Sequence, residues 1–260
     1  MGMQGKVAVI TGSAVGVGRG LALTLSAEGA AVAGLDIDVV NNHETGTLVR
    51  ADGGAYLAVD CDIADKVQVR RAINQVLDRF ERIDLLINNA AVFEDSTLLT
   101  GTYESQTEAY ERSMNTCALG AFFCAHACVP ALLAAGGGNI INIITEHIDK
   151  GSYLTRLPAL GYDCAKFALW RQVETWAYQL RETNLRVNGL AFGATDTPLL
   201  RGFAPDRADA AMKPADIGQA ILNVLAHGEG GPTGQVWRFG YTGTPREESL
   251  TAIAAIAPGA

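Results

Sequence analysis

Proline is scarce, charge is modest, and paired metal-binding motifs are missing. Only 8 of the 260 residues are proline and 18% are charged, so no proline-rich linker or charged low-complexity tract divides the chain. The 5 cysteines include no Cys-x-x-Cys pair and the 4 histidines no His-x-x-x-His, so no metal site is expected. Cys117, Cys124 and Cys128 share one helical face and read as buried thiols, with a reduced, cytoplasmic compartment as the default. The N-terminus carries no cleavable signal pattern, and no apolar run is expected to reach the roughly 20 residues of a membrane span. With 28 acidic against 20 basic residues the net charge is −8, which argues against a nucleic-acid partner.

What the chain does have is apolar residues (48%) and 29 glycines, enough to bury a sizeable core and to make tight strand-to-helix turns. Short β-branched runs at 7–10, 31–35, 55–59, 83–87, 139–144, 185–190 and 235–239 alternate with helical patterns at 18–28, 66–80, 103–135 and from 162 onward. Seven strands with intervening helices predict an α/β fold, a single-domain Rossmann-type doubly wound sheet, mainly parallel, with helices on both faces. We read 1–260 as one domain, with 199–213 as a short substrate-side loop and 241–260 as a C-terminal tail whose Leu250–Ala260 end is able to reach a neighbouring subunit.

In such sheets ligands sit beyond the carboxyl ends of the strands, where Asp36, Asp62, Asn89 and Thr145 all fall. Between the first strand and its helix runs Thr11-Gly12-Ser13-Ala14-Val15-Gly16-Val17-Gly18. Glycines there let a pyrophosphate reach the free N–H groups of a helix start, although the same turn also serves plain packing. Asp36 lies 18 residues beyond Gly18, close to the distance expected of an acid that bonds the adenosine ribose hydroxyls and repels a 2′-phosphate. NAD(H) is therefore expected over NADP(H). Tyr162 and Lys166, four apart, share one face at the start of a helical stretch and form the sequence's one Tyr-x-x-x-Lys pair.

Together these motifs resemble the short-chain dehydrogenase/reductase family of about 250 residues, over Lys6 to about Gly240. Gly12, Ser13, Val15, Gly16, Val17 and Gly18 match its cofactor turn, and Asp62 with Ile63 its adenine-contacting segment. Asn88-Asn89-Ala90-Ala91 resembles its Asn-Asn-Ala-Gly stretch with the last glycine replaced. Gly193, Thr195 and Thr197 fall in its segment after the sixth strand, where Thr197 is expected on the nicotinamide carboxamide.

The resemblance implies Tyr162 as general acid/base and Lys166 as the cation that lowers its pKa and binds the nicotinamide ribose. Asn115 is implied to hold a water in the proton path. Acting near neutrality asks for about 4 kcal/mol of preferential phenolate stabilisation. Thr145 stands where relatives carry the substrate-orienting serine, with Ser152 as a weaker stand-in.

The interval from Thr145 to Tyr162 exceeds the family's usual one by about four residues. It carries His147, Lys150, Tyr153 and Arg156: ordinary polar loop residues, or donors for a polar or anionic substrate. Leu199 is the apolar candidate on the substrate side. The reading is an NAD-dependent interconversion of a secondary alcohol and a ketone, running toward oxidation where NAD⁺ dominates, on a small molecule and by a homotetramer or homodimer. Alternatives are a carbonyl or 3-oxoacyl reductase, or a dinucleotide sensor with a retired site.

Overall fold

The computed structural model describes residues 2–148, 159–228, 230–239 and 250–253. Seven strands form one parallel sheet: β1 (Val7–Thr11), β2 (Ala31–Asp36), β3 (Tyr56–Asp60), β4 (Leu85–Asn88), β5 (Gly138–Ile143), β6 (Leu185–Phe192) and β7 (Val236–Phe239). Their order is β3-β2-β1-β4-β5-β6-β7, and the reversal beside β1 opens a crevice at the strands' carboxyl ends. An unexpected eighth strand, β8 (Leu250–Ile253), pairs antiparallel with β7. That part of the tail therefore lies on the chain's own sheet.

Both sheet faces are covered, which explains why the strands read as unbroken apolar runs. Along β1, Ala8 and Ile10 point into one core layer, and Val7 and Val9 into the other. The first layer packs α1 (Gly16–Ala27), α2 (Val39–Ala51) and α9 (Pro214–Leu225). Leu21 and Leu25 of α1 are fully buried there, each contributing about 2 kcal/mol. The second layer takes α3 (Lys66–Phe80), whose Val69, Ala72, Ile73 and Val76 repeat at helical spacing, and α5 (Ala121–Ala134). Asp65 caps α3 by accepting from the N–H groups of Val67 and Gln68.

The helix expected over 103–135 is real but not uniform. It runs as α4 (Tyr103–Ser113), one wider π-helical stretch (Met114–Gly120) and α5. Residues 113–135 carry no Asp, Glu, Lys or Arg, and an 18-residue window of this helix reaches a mean hydropathy of 1.9. The expectation that no apolar run is long enough for a membrane span is thus corrected: by length and composition this one is. Its small and apolar side chains Cys117, Ala121, Cys124, Cys128 and Leu132 are buried against the rest of the protein.

Two helical segments replace the loop expected at 199–213: α7 (Pro198–Phe203) and α8 (Pro205–Ala208). Each starts on a proline, whose fixed φ suits the first helical position. The last long helix, α6 (Leu160–Gln179), begins two residues before Tyr162.

Candidate active site

A groove of about 680 Å³ runs along the carboxyl ends of the strands. At one end lie the turn after β1 and the acids after β2 and β3. At the other lie the end of β5, the start of α6 and the segment after β6.

The turn after β1 is built by backbone-to-backbone packing. A Cβ on Gly18 would sit 1.9 Å from the Gly12 carbonyl oxygen. Gly12 itself has φ +68°, and a Cβ there would meet the Ala90 Cα at 2.7 Å. Thr11 ties this turn to β4: its hydroxyl accepts from the N–H groups of Asn89 and Ala90, and Asn89 Nδ2 donates to the carbonyls of Thr11 and Gly12. α1 starts at extended Val15 without a side-chain cap. Its first N–H groups therefore have no side-chain acceptor, and Val15, Gly16, Val17 and Gly18 line the groove. Ser13 does not line it: its hydroxyl is buried and donates to Asn42 Oδ1.

Asp36 closes this end. Its carboxylate accepts from the N–H groups of Ala14 and Asp38, at 2.8 and 2.9 Å, and so is held in one orientation. The nearest cation on α1, Arg19, is engaged by Glu44 and by the Ala14 carbonyl. Asp62, Ile63, Ala90 and Ala91 also line the groove. An uncapped helix start, a glycine-packed turn and a fixed carboxylate, in a groove long enough to reach the next group of residues, fit an elongated dinucleotide. Its pyrophosphate would take the helix start and its adenosine ribose Asp36.

At the far end Thr145, Tyr162, Lys166 and Asn115 all line the groove. Thr145, 6% exposed, hydrogen-bonds the Tyr162 hydroxyl. Lys166 is 1% exposed and donates to the Ile143 carbonyl at 2.7 Å. Its Nζ stands 5.5 Å from the centre of the Tyr162 ring. Burial pushes the Tyr162 phenol up and the Lys166 ammonium down, while the Thr145 hydrogen bond draws the phenol back. Asn115 sits in the π-helical stretch, a distortion typical of functional positions.

Gly193, Thr195 and Thr197 line the wall after β6. Thr197 caps α7 by accepting from the Leu200 N–H, which leaves its own hydroxyl proton to donate. Asp196 beside it is gripped by Arg201 and Lys213, which hold its carboxyl down at about 2 and pin the segment. Of the substrate-side candidates, His147 and Leu199 line the groove, while Tyr153 and Arg156, like Lys150 and Ser152, lie outside the described residues.

Sequence reasoning passed over Glu146, Arg207 and Phe93, which also line this end. It missed Asp163 as well, whose carboxylate holds His147. Only adjacency to Thr145 and Tyr162 could have pointed to Glu146 and Asp163.

This fold and this groove define a dinucleotide-binding oxidoreductase. Residues 6–208 match the family described as short chain dehydrogenase, and the chain belongs to it. Members are oxidoreductases that bind a nicotinamide dinucleotide.

The chain is 35% identical to galactitol 2-dehydrogenase of Agrobacterium fabrum, over 75% of this chain and 73% of that one. It is 34% identical to sorbitol dehydrogenase of Cereibacter sphaeroides, with the same coverage. It is 28% identical to 3-oxoacyl-[acyl-carrier-protein] reductase of Thermotoga maritima, over 91% and 96%. Among solved structures it is similar in fold to 3-ketoacyl-(acyl-carrier-protein) reductase from Brucella melitensis complexed with NADH. The TM-score there is 0.81, with 24% identity and coverage of 92% and 98%.

Proposed function

We propose that this protein is an NAD(H)-dependent dehydrogenase that interconverts a secondary alcohol and a ketone. The observation that carries the reading is the convergence of Thr145, Tyr162 and Lys166 at one end of the groove whose other end holds Asp36 and the glycine turn. The bound nicotinamide supplies the hydride acceptor and a positive charge. Tyr162 Oη takes the alcohol proton during oxidation and returns it during reduction. Thr145 Oγ1 orients the reacting oxygen toward Tyr162. Lys166 keeps two N–H donors beyond the one given to Ile143, suited to ribose hydroxyls. Its charge, added to that of the oxidised cofactor, opposes the burial that holds the phenol high. Asn115 and Thr197 serve the proton path and the carboxamide.

The two polyol dehydrogenases among the relatives favour alcohol oxidation as the reading. The acyl-carrier-protein reductase keeps ketone reduction as the second one. A homodimer or homotetramer is proposed from Leu119, Phe122 and Phe167, which remain exposed on the helices about the π-helical stretch and on α6. The proposed compartment is the reducing cytoplasm, and the proposed partner a small-molecule alcohol or ketone.

The orienting hydroxyl is tested by its two nearest variants. Thr145→Ser is expected to keep kcat/KM within about threefold, and Thr145→Ala to lose about 10²-fold. Equal rates in the two variants would move that role to another hydroxyl.

Cofactor choice is tested at Asp36. The native protein is expected to favour NAD over NADP by about 10²-fold in kcat/KM, because a fixed carboxylate repels a 2′-phosphate. Asp36→Ala is expected to shrink that ratio at least about tenfold. A native preference for NADP would overturn the assignment.

A further inference from the structure

The substrate end of the groove holds a second hydrogen-bonded pair that the proposed reaction does not use. His147 stands two residues beyond Thr145, and Asp163 directly follows Tyr162. The step from β5 to α6 that sets Thr145 against Tyr162 therefore also sets His147 against Asp163. Nδ1 of the imidazole lies 2.7 Å from Asp163 Oδ1, and each side chain is 19% exposed. The His147 ring stands edge-on to Tyr162, with centroids 6.1 Å apart at 77°. His147 lines the groove, whereas Asp163 sits behind it.

An ionised carboxylate only accepts hydrogen bonds, so Nδ1 is the donor in this pair. In the neutral imidazole that leaves Nε2 as an acceptor. We infer that His147, oriented by Asp163, accepts a hydrogen bond from a second hydroxyl of the substrate. The substrate class is then a diol or polyol with that hydroxyl one or two carbons from the reacting one. This rests on the alcohol oxidation proposed above.

Nε2 needs a partner that brings a proton, as a hydroxyl does and a carboxylate or ether does not. Arg207 lines this end as well, and Arg112 is engaged by Glu94, so an anionic substrate is the alternative to be tested. Val92, Phe93 and Leu199 supply apolar lining. A substrate lacking the second hydroxyl would therefore leave a largely buried acceptor without a partner. His147 is thus a specificity-determining residue, and Asp163 a positioning residue that acts through it.

The test uses the full chain with NAD⁺ and three probes: 2-butanol, 2,3-butanediol and 3-hydroxybutyrate. The native protein is expected to prefer the diol over 2-butanol by about 10²-fold in kcat/KM. His147→Leu is expected to remove that preference by slowing the diol about 10²-fold more than 2-butanol. His147→Gln, whose amide oxygen can accept, should restore part of it. Asp163→Asn, which keeps an accepting oxygen, should lose less than Asp163→Leu.

A native diol-to-monoalcohol ratio near one, an equal loss on both alcohols in His147→Leu, or a preference for 3-hydroxybutyrate would each overturn the assignment. These results leave the proposed reaction standing. Absence of NADH formation with every alcohol would instead overturn that reaction, and this inference with it.

Discussion

Tyr162→Phe is expected to lower kcat for alcohol oxidation by about 10³–10⁴-fold while NADH affinity stays within about threefold. The substitution removes one oxygen from a half-buried ring. Because the ring's packing against Phe93 and His147 survives, a collapse of the groove cannot mimic the effect. What disappears is the proton acceptor and its hydrogen bond to Thr145. Fluorescence titration of NADH measures the binding arm, and NADH formation at saturating alcohol measures kcat. Retained turnover would overturn the assignment of Tyr162 as general acid/base. Loss of cofactor binding together with turnover would make the tyrosine a structural part of the cradle instead.

The Tyr162–Lys166 pair was legible because its spacing is a helical one, and a helix of any sequence puts residues four apart on one face. The turn after β1 was legible because Gly12 and Gly18 are forced by backbone contact, which leaves a mark in the sequence wherever it occurs. What stayed hidden were features made between segments. The helix α2 was passed over because its buried face is polar. Asn42 donates to the carbonyls of Gly34 and Val59 and accepts from Ser13 and Tyr56, while Thr45 donates to backbone carbonyls of the β1 turn. A periodicity of apolar residues cannot register such a face. The same network explains why Ser13, aligned with the cofactor turn by motif, faces the interior. The His147–Asp163 pair links residues 16 apart in sequence, at the end of one element and the start of another. The apolar stretch at 113–135 was underrated because it is rich in alanine and cysteine rather than leucine or valine.

Lys166→Met is expected to do two opposite things: lower kcat by about 10³-fold and make the folded protein more stable. The loss of rate follows from removing the cation that opposes the burial of the Tyr162 phenol, together with donors suited to the ribose. The gain in stability follows from where the ammonium sits. It is 1% exposed, it donates to the carbonyl of Ile143, and among the described residues no carboxylate pairs with it.

Methionine fills similar volume without a charge to desolvate, and such replacements gain about 1–3 kcal/mol, or roughly 2–4 °C in Tm per kcal/mol at this size. The pH dependence gives the argument its sign. Burial lowers the Lys166 pKa below its ordinary value of about 10.4. Between the lowered and ordinary values the unfolded chain binds more protons, so native stability rises with pH across that window. As pH falls through the lowered value, the full penalty for a buried charge is present. The stabilisation by Lys166→Met should therefore be greatest near pH 7 and shrink toward pH 10, which thermal unfolding of both proteins at the two pH values measures. A destabilised variant, or a difference that grows with pH, would mean that the ammonium is compensated in the folded state. Lys166 would then be a structural residue as much as a functional one.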